Sequence, residues 1–559
     1  MSQKSKSQQS KSQLLASLPN VGKMVQSPDL QDLRLAFGEP YLVRIAQRAL
    51  QSFRDQILSA KEEELESLQV PDWEEAILQE IYRDRQALIQ RVINVTGTII
   101  HTNLGRAPLP MEIFGDLQTT LTSYCTLEYD IRRGERGYRG GGVEQLLSEL
   151  LGAEAAAVTN NNAAAMLLIL ATLKDRYDDL QAEKLKGLDQ LLMEMRKKGA
   201  GLTELLAYEE LRERIRKEAQ EPPEILVARS ELVEIGGSFR IPDIISRSGM
   251  RLVALGCTNK IKESDYAKAI NSRTCGILKV HRSNFYLGGF TEEPSLADLV
   301  RVAHDHQLPL IYDLGSGLLE EDLAPEMQTQ PKVKEGLAAG VDVLCFSGDK
   351  LFGGPQAGMI LGSRKFMDRL KHNQLMRALR VDKFTLLSLE KILAYYEAHR
   401  EANIPVLRQV GQKPEVLLAL ARQVEEDLYR DLGFDGPDRV ACAEAMRGQY
   451  GVSVSVEKTQ AKVGGGTAPN VLLPSYALRI SFGEEGPQAN AFEAFVRTLP
   501  LSKEDLQARL VRKELTFLPI IGRIEDGAFW ADMRSLLPGE EPLLVKGLVR
   551  AFHAVLKRE

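Results

Sequence analysis

Apolar positions along this chain keep one period up to about residue 90 and another after it. Leu30, Leu33, Leu35, Leu42, Ile45, Leu50 and Ile57 recur at roughly helical spacing among charged residues, which predicts a helical N-terminal domain over 14–90. From Val92 onward, short apolar runs alternate with helical stretches. The runs at 155–159, 225–228, 252–254, 276–280, 310–312 and 343–346 read as buried strands, and 163–173, 296–306 and 332–339 as helices. That alternation predicts an α/β domain with a mostly parallel sheet over 91–390. Residues 174–224 interrupt it. Charged, leucine-rich and broken by Gly199 and Gly201, they read as an inserted two-helix hairpin. After about Phe384 a long helical stretch leads into a smaller C-terminal α/β domain, placed at 391–559. Its strands at 452–456 and 477–482 are joined through Val463-Gly464-Gly465-Gly466-Thr467. Those glycines permit close backbone approach, so the loop is a candidate to close over a site.

Composition narrows the class. The chain has 559 residues, 44% hydrophobic and 26% charged, with a net charge of −6, which is ordinary for a globular protein of two or three domains. The charge is uneven: residues 1–61 carry nine Lys/Arg against four Asp/Glu, and 62–85 are acidic. A basic helical arm on an acidic protein is suited to an RNA backbone. Residues 1–13 are Ser/Gln/Lys-rich without an apolar core, so they read as a disordered tail and not a secretory signal. The longest apolar helical run, 163–173, is too short to cross a bilayer. Cys125, Cys257, Cys275, Cys345 and Cys442 are widely spaced with no paired C-x-x-C. They point to reduced thiols in a cytoplasmic protein, with neither a disulfide framework nor a metal site.

Candidate chemistry concentrates at three strand ends. Phe346-Ser347-Gly348-Asp349-Lys350-Leu351-Phe352-Gly353-Gly354-Pro355 follows an apolar run. A lysine held at the end of a buried strand loses its proton through desolvation and becomes a nucleophilic amine, as a Schiff base with pyridoxal phosphate (PLP) requires. Upstream, 308–312 ends in Asp313, before Leu314-Gly315-Ser316-Gly317. A carboxylate there suits the protonated pyridine nitrogen of PLP. Asn160-Asn161-Asn162 stands between a strand and a helix, where free backbone N–H groups and the helix dipole favour a phosphate. His281 and Asn284 follow the strand at 276–280 and are secondary candidates.

With these residues in view, the chain resembles the bacterial selenocysteine synthases, L-seryl-tRNA(Sec) selenium transferases of PLP fold type I. The likeness runs through nearly the whole chain apart from the tail and the 174–224 insertion. It is carried by Asn94-Val95-Thr96-Gly97-Thr98, Thr102-Asn103-Leu104-Gly105-Arg106, Leu127-Glu128-Tyr129-Asp130 and Gly134-Glu135-Arg136-Gly137. The stretches from Glu231 to Arg240, Asp313 to Gly317 and Arg377 to Lys383 carry it further, with the triple Asn and the lysine motif. The resemblance implies that Lys350 bonds PLP and Asp313 meets its ring nitrogen, with Asn160, Asn161, Asn162 and Ser347 also holding the cofactor. It implies a catalytic role for Asp349, and assigns Arg106, Arg377 and Arg380 to selenophosphate. Arg377 and Arg380 stand three apart in a helix-like stretch, hence on one face, and guanidinium pairs grip phosphates well. The implied reaction removes water from seryl-tRNA(Sec) to give dehydroalanyl-tRNA, then adds selenium from selenophosphate. The implied partners are that tRNA, held through the N-terminal domain, and further copies of the chain, a dimer at least and a decamer by likeness.

Two departures affect substrate positioning. Where the family is expected to read Arg-Tyr-Ser-His-Val-Glu, this chain has Arg139-Gly140-Gly141-Gly142-Val143-Glu144, and Cys257-Thr258-Asn259-Lys260 replaces Thr-Thr-Asn-Arg. Arg139 faces either the cofactor or a neighbouring subunit. Neighbours in extended chain point opposite ways, so Asp349 assists Lys350 only if the chain turns there, as Gly348 permits. The alternative function is a related PLP-dependent lyase acting by β-elimination on a small amino acid or amino sugar. A catalytically silent tRNA-binding scaffold is disfavoured by the intact Lys350, Asp313 and triple Asn.

Overall fold

A computed structural model describes residues 11–61, 68, 70–85, 89–236, 239–319, 323–434, 436, 439–482, 487–499, 501–510 and 517–556. The first ten residues of the expected tail, residues 62–67 of the acidic stretch and Gly237-Ser238 lie outside them. The chain divides into two compact units: one of Gly97–Leu418 and Lys458–Tyr476, the other of Met1–Thr96, Ala419–Glu457 and Ala477–Glu559. Among the described residues no helix is long and apolar enough to cross a membrane.

The N-terminal helices are α1 (Lys11–Ala16), α2 (Val21–Val25), α3 (Gln31–Phe37), α4 (Glu39–Ser59) and α5 (Trp73–Arg85). Helix α1 takes in Lys11 to Gln13, which composition had placed in the tail. On α4, Leu42, Ile45, Ala46, Ala49, Phe53 and Ile57 recur every three or four residues and are buried, so one stripe of the helix faces a core. Leu42, Ile45 and Ala49 pack with Met24, Leu33, Ile77, Leu78, Ile81, Leu501 and Leu506. Leu35 fits the spacing but is 80% exposed. Opposite the stripe, Arg44 and Arg54 face solvent.

The other unit is built on seven strands: β1 (Ala155–Thr159), β2 (Glu224–Ala228), β3 (Arg251–Leu255), β4 (Thr274–Val280), β5 (Leu310–Gly315), β6 (Val343–Ser347) and β7 (Gly358–Gly362). Their spatial order is β1-β7-β6-β5-β4-β2-β3. β7 runs antiparallel to both its neighbours and the rest are parallel. Strands buried on both faces read as continuous apolar runs, and alternate residues feed two cores. Leu344 and Phe346 of β6 join Val143, Leu147 and Leu151 of α6 (Gly141–Leu151) on one side. Val343 and Cys345 join Ala165, Ile169 and Leu173 of α7 (Asn162–Lys197) on the other.

Helix α7 is 36 residues long. The sequence reading ended a helix at 173 and began an insertion at 174, but the helix passes through that point unbroken. It returns as α8 (Leu202–Glu218), which buries none of its residues. Arg212 Nε meets Asp189 Oδ1 at 2.5 Å and Arg196 pairs with Glu209, which ties the two arms. The remaining helices that matter for the site are α9 (Arg364–His372), α10 (Leu375–Leu379) and α11 (Lys383–Glu397).

A smaller sheet follows, with β8 (Ser453–Lys462), β9 (Leu472–Ser481), β10 (Arg523–Glu525) and β11 (Ala528–Asp532) in the order β8-β9-β11-β10. The far end of the β8–β9 hairpin, with the glycine loop, belongs to the unit of the large sheet. There Ile99 and Ile100 donate backbone hydrogen bonds to Lys462 and Val463. A Cβ on Gly464 would stand 2.6 Å from the Ile100 carbonyl, so only glycine lets the loop lie this close.

Candidate active site

The carboxyl ends of β4, β5 and β6 present His281, Asp313 and Lys350 side by side in strand order. After β6 the chain turns over Gly348 to Phe352. Gly348 N donates to Ala357 O at 2.8 Å, Gly353 N to Lys350 O at 3.0 Å and Gly354 N to Gly348 O at 2.8 Å. The turn that Gly348 was expected to permit is therefore present. Lys350 is buried, and its Nζ donates to the Gly466 carbonyl at 2.7 Å. Burial lowers its pKa, opposed by the nearby carboxylates of Asp313 and Asp349. The glycine loop thus closes onto the lysine, through a backbone carbonyl.

Asp349, also buried, turns to Arg106, whose Nη1 meets Oδ2 at 2.7 Å. Arg106 adopts a φ of 63°, an uncommon left-handed conformation for a residue with a side chain. The Asp349 carbonyl accepts from Ala107 N at 3.3 Å, so side chain and backbone both fix this segment against the turn. Ser347, the buried last residue of β6, pairs with Gly358 on β7.

Asp313 lies in β5 where its pairing with β6 is irregular: Asp313 faces Cys345, but Gly315 faces Phe346. Gly315 takes a φ of +72°, and a Cβ there would stand 3.9 Å from Lys350 Nζ. Such bulges re-aim side chains beside sites. Burial raises the Asp313 pKa, against which Asn162 and Lys350 act. Asn162 Nδ2 donates to Asp313 Oδ1 at 2.8 Å.

The three asparagines divide their work. Asn161 caps α7, its side chain accepting from Ala164 N at 2.8 Å. Asn162 serves Asp313, and Asn160 is exposed, its N–H donating to Leu379 O at 2.9 Å. A Cβ on Gly358 would stand 2.2 Å from the Asn161 carbonyl, so glycine at 358 is what lets this loop sit on the sheet.

His281 N donates to Asp313 O at 2.9 Å, while its buried Nε2 has no partner among the described residues. Burial lowers the His281 pKa to about 4, with Arg282, Lys279 and Lys350 adding to the effect. The folded protein therefore binds fewer protons at this site than the unfolded chain between about 4 and 6.5. Its contribution to stability is full above pH 6.5 and is lost as pH falls through 4. His281→Asn is expected to flatten the fall in unfolding free energy across that window, measured by denaturant titration. An unchanged slope would contradict a buried neutral imidazole. Asn284, its sequence companion, donates instead to Glu234 O at 2.5 Å.

Arg377 and Arg380 line a cavity of about 390 Å³ with Arg139, Tyr138, Glu128 and Lys371. Only Arg377 is within a helix, α10. Arg380 is its extended C-cap, so the two do not share a regular helical face as spacing suggested. Glu128 Oε1 accepts from Arg139 at 3.2 Å and Arg380 at 3.4 Å, and Oε2 from Arg136 at 3.1 Å; these arginines hold its pKa low against burial, Arg139 first. Arg377 makes no ion pair among the described residues. Arg106 is placed apart from them, on Asp349. Beneath the cavity, buried Glu144 meets Lys371 Nζ at 2.7 Å, with that ammonium 5.3 Å over the Tyr138 ring. Burial raises Glu144 to about 7, with Lys371 opposing. Sequence reading had named the glycine loop and quoted Glu128 and Glu144 within motifs, but it gave no role to Glu128, Glu144, Lys371, Cys345 or the Gly466 carbonyl.

Donors and acceptors here fit PLP. They comprise a buried amine, a buried carboxylate, a helix N-terminus, and buried polar atoms on Asn162, His281 and Ser316 that have no partner among the described residues. Buried polar atoms without partners are costly, and a polar ligand satisfies them. With a mostly parallel sheet covered by helices on both faces, this is the type I fold of PLP-dependent enzymes. The solved structure of D-glucosaminate-6-phosphate ammonia-lyase shares that fold, with a TM-score of 0.52 at 20% identity over 85% of this chain and 98% of that one. Residues 92–182 and 217–537 match the L-seryl-tRNA selenium transferase family, the break falling within the α7–α8 hairpin. The L-seryl-tRNA(Sec) selenium transferase of Aquifex aeolicus is 34% identical over 94% of this chain and 95% of its own length. That of Carboxydothermus hydrogenoformans is 35% identical over 96% and 98%. The chain belongs to the L-seryl-tRNA selenium transferase family.

Proposed function

We propose that Lys350 and Asp313 hold PLP and that the groups around them serve the conversion of a tRNA-borne serine. As a member of its family, the chain converts seryl-tRNA(Sec) to selenocysteinyl-tRNA(Sec). When bound, PLP supplies an electron sink that lets the seryl α-proton and then the β-hydroxyl leave. The observation that carries the reading is the buried pair of Lys350 and Asp313 on adjacent strand ends, one with a lowered and one with a raised pKa.

Each group has a physical task. Lys350, its charge disfavoured by burial, accepts the α-proton as a free amine. Asp313 presents a carboxylate to the ring nitrogen, steadied by Asn162. Asp349 stabilises the protonated form of Lys350 after transfer and holds Arg106 beside it. Asn160 and Asn161 shape the start of α7, which with Ser347 at the end of β6 would hold the cofactor phosphate. Arg106, Arg377 and Arg380 receive the anionic selenophosphate, Arg106 nearest the lysine and the other two from their cavity. The chain works as a homo-oligomer in the cytoplasm, a dimer at least. Borohydride treatment of the PLP-loaded protein should fix the cofactor to the peptide containing Lys350, read by mass spectrometry. Labelling of another lysine instead would overturn the site.

The N-terminal domain is the proposed tRNA holder, on the strength of its local positive charge and the exposed Arg44 and Arg54 of α4. Arg44→Glu with Arg54→Glu is expected to weaken tRNA binding and lower its salt dependence by about one unit of slope per lost phosphate contact. PLP binding should stay at the wild-type level. Unchanged tRNA affinity and salt slope would refute the assignment.

A further inference from the structure

Asp313 and Cys345 are direct register partners on the parallel strands β5 and β6, so their side chains leave the same face of the sheet. It is the face covered by α7, where Cys345 packs with Ile311, Val343 and Ala165. Cys345 is 0% exposed. Burial pushes its thiol well above the ordinary range, and the Asp313 carboxylate pushes it further. The sulfur therefore keeps its proton and is a donor. It stands 3.8 Å from Asp313 Oδ1.

The same oxygen already accepts from Asn162 Nδ2 at 2.8 Å. A carboxylate only accepts, so the amide nitrogen must be the atom that faces it. The amide oxygen of Asn162 is buried and has no partner among the described residues, so Asp313 orients that side chain. Two donors from two elements, the start of α7 and the middle of β6, thus converge on Oδ1. The Gly315 backbone N–H also acts on this carboxylate, and among the described residues no side-chain donor meets Oδ2.

We propose that Cys345 is a positioning residue for the reaction: with Asn162 it anchors Oδ1 of Asp313 and so presents Oδ2 to the ring nitrogen of PLP. The proposal rests on Asp313 being the ring partner. Oδ1 held from two directions stops the carboxylate rotating, and the S–H dipole stabilises its charge. Removing the donor frees the rotation and weakens the hold on the ring proton. The ring then carries less positive charge, and the lysine-bound cofactor becomes easier to protonate.

The test uses the full-length chain reconstituted with PLP. Cys345→Val keeps the buried volume without a donor, and Cys345→Ser restores one. Affinity for PLP is read by titration, the protonation midpoint of the bound cofactor by its visible absorbance against pH, and the melting temperature on cofactor-free protein. Cys345→Val should bind PLP about twofold to threefold more weakly, the worth of one weak hydrogen bond, with the midpoint moved to higher pH. Cys345→Ser should return both towards wild type. A merely structural cysteine would move only the melting temperature. Wild-type affinity and midpoint in Cys345→Val would overturn the proposal. Should that variant not fold, Cys345→Ala is read by the same two measures with the same expectation. Wild-type protein that binds no PLP would overturn the site reading beneath it, a distinct failure.

Discussion

Lys350→Ala protein is expected to lose the visible absorbance of bound PLP and to lower turnover of seryl-tRNA(Sec) by about a thousandfold or more. Two functions vanish together, the covalent hold on the cofactor and the amine that moves the α-proton, and proton transfer alone is worth about a hundred- to ten-thousand-fold. The protein should still fold. Lys350 is buried, and among the described residues its Nζ donates one hydrogen bond, to the Gly466 carbonyl. A buried amine costs desolvation, and alanine removes that cost. The cofactor-free variant is accordingly expected to melt no lower than wild type, followed by circular dichroism. Retained absorbance would move the reactive lysine elsewhere, and a collapsed melting temperature would make Lys350 a structural residue.

Asp313→Asn separates cofactor binding from cofactor activation. Asparagine fills the same space but turns a neutral amide towards the ring nitrogen, which then keeps no proton. The electron sink weakens while the lysine can still be labelled. Turnover is expected to fall about a hundred- to a thousandfold, the usual loss for one misplaced electrostatic partner of a developing charge. Borohydride should still fix PLP to Lys350. Near wild-type turnover in Asp313→Asn would mean that the buried carboxylate does not serve the ring.

The strand ends were legible because each closes an apolar run. Runs at 310–312 and 343–346 mark buried parallel strands, and the first polar residues after such runs fall at the carboxyl edge of the sheet, where α/β folds place ligands. What the sequence could not show was which polar groups meet across long separations. Arg106 and Asp349 are 243 positions apart, and the pairing depends on the left-handed turn at Arg106. Lys350 and Gly466 are 116 apart, joined only because the β8–β9 hairpin brings its glycine loop back. The loss of hydrophobicity after Leu173 marked where α7 leaves the apolar cluster it shares with the sheet, which is a different event from its ending. No proline or glycine stops that helix at 174, so it continues to Lys197. Three consecutive asparagines looked alike in sequence, and the backbone separates them. Only Asn161 occupies the extended cap position, which leaves Asn162 to reach Asp313.

Single-turnover conversion of seryl-tRNA(Sec) by the PLP-loaded protein, with labelled selenophosphate, tests the central claim most directly. Label should enter the aminoacyl group as selenocysteine, and Lys350→Ala should abolish it. Full occupancy by PLP without any label on the tRNA would contradict the account.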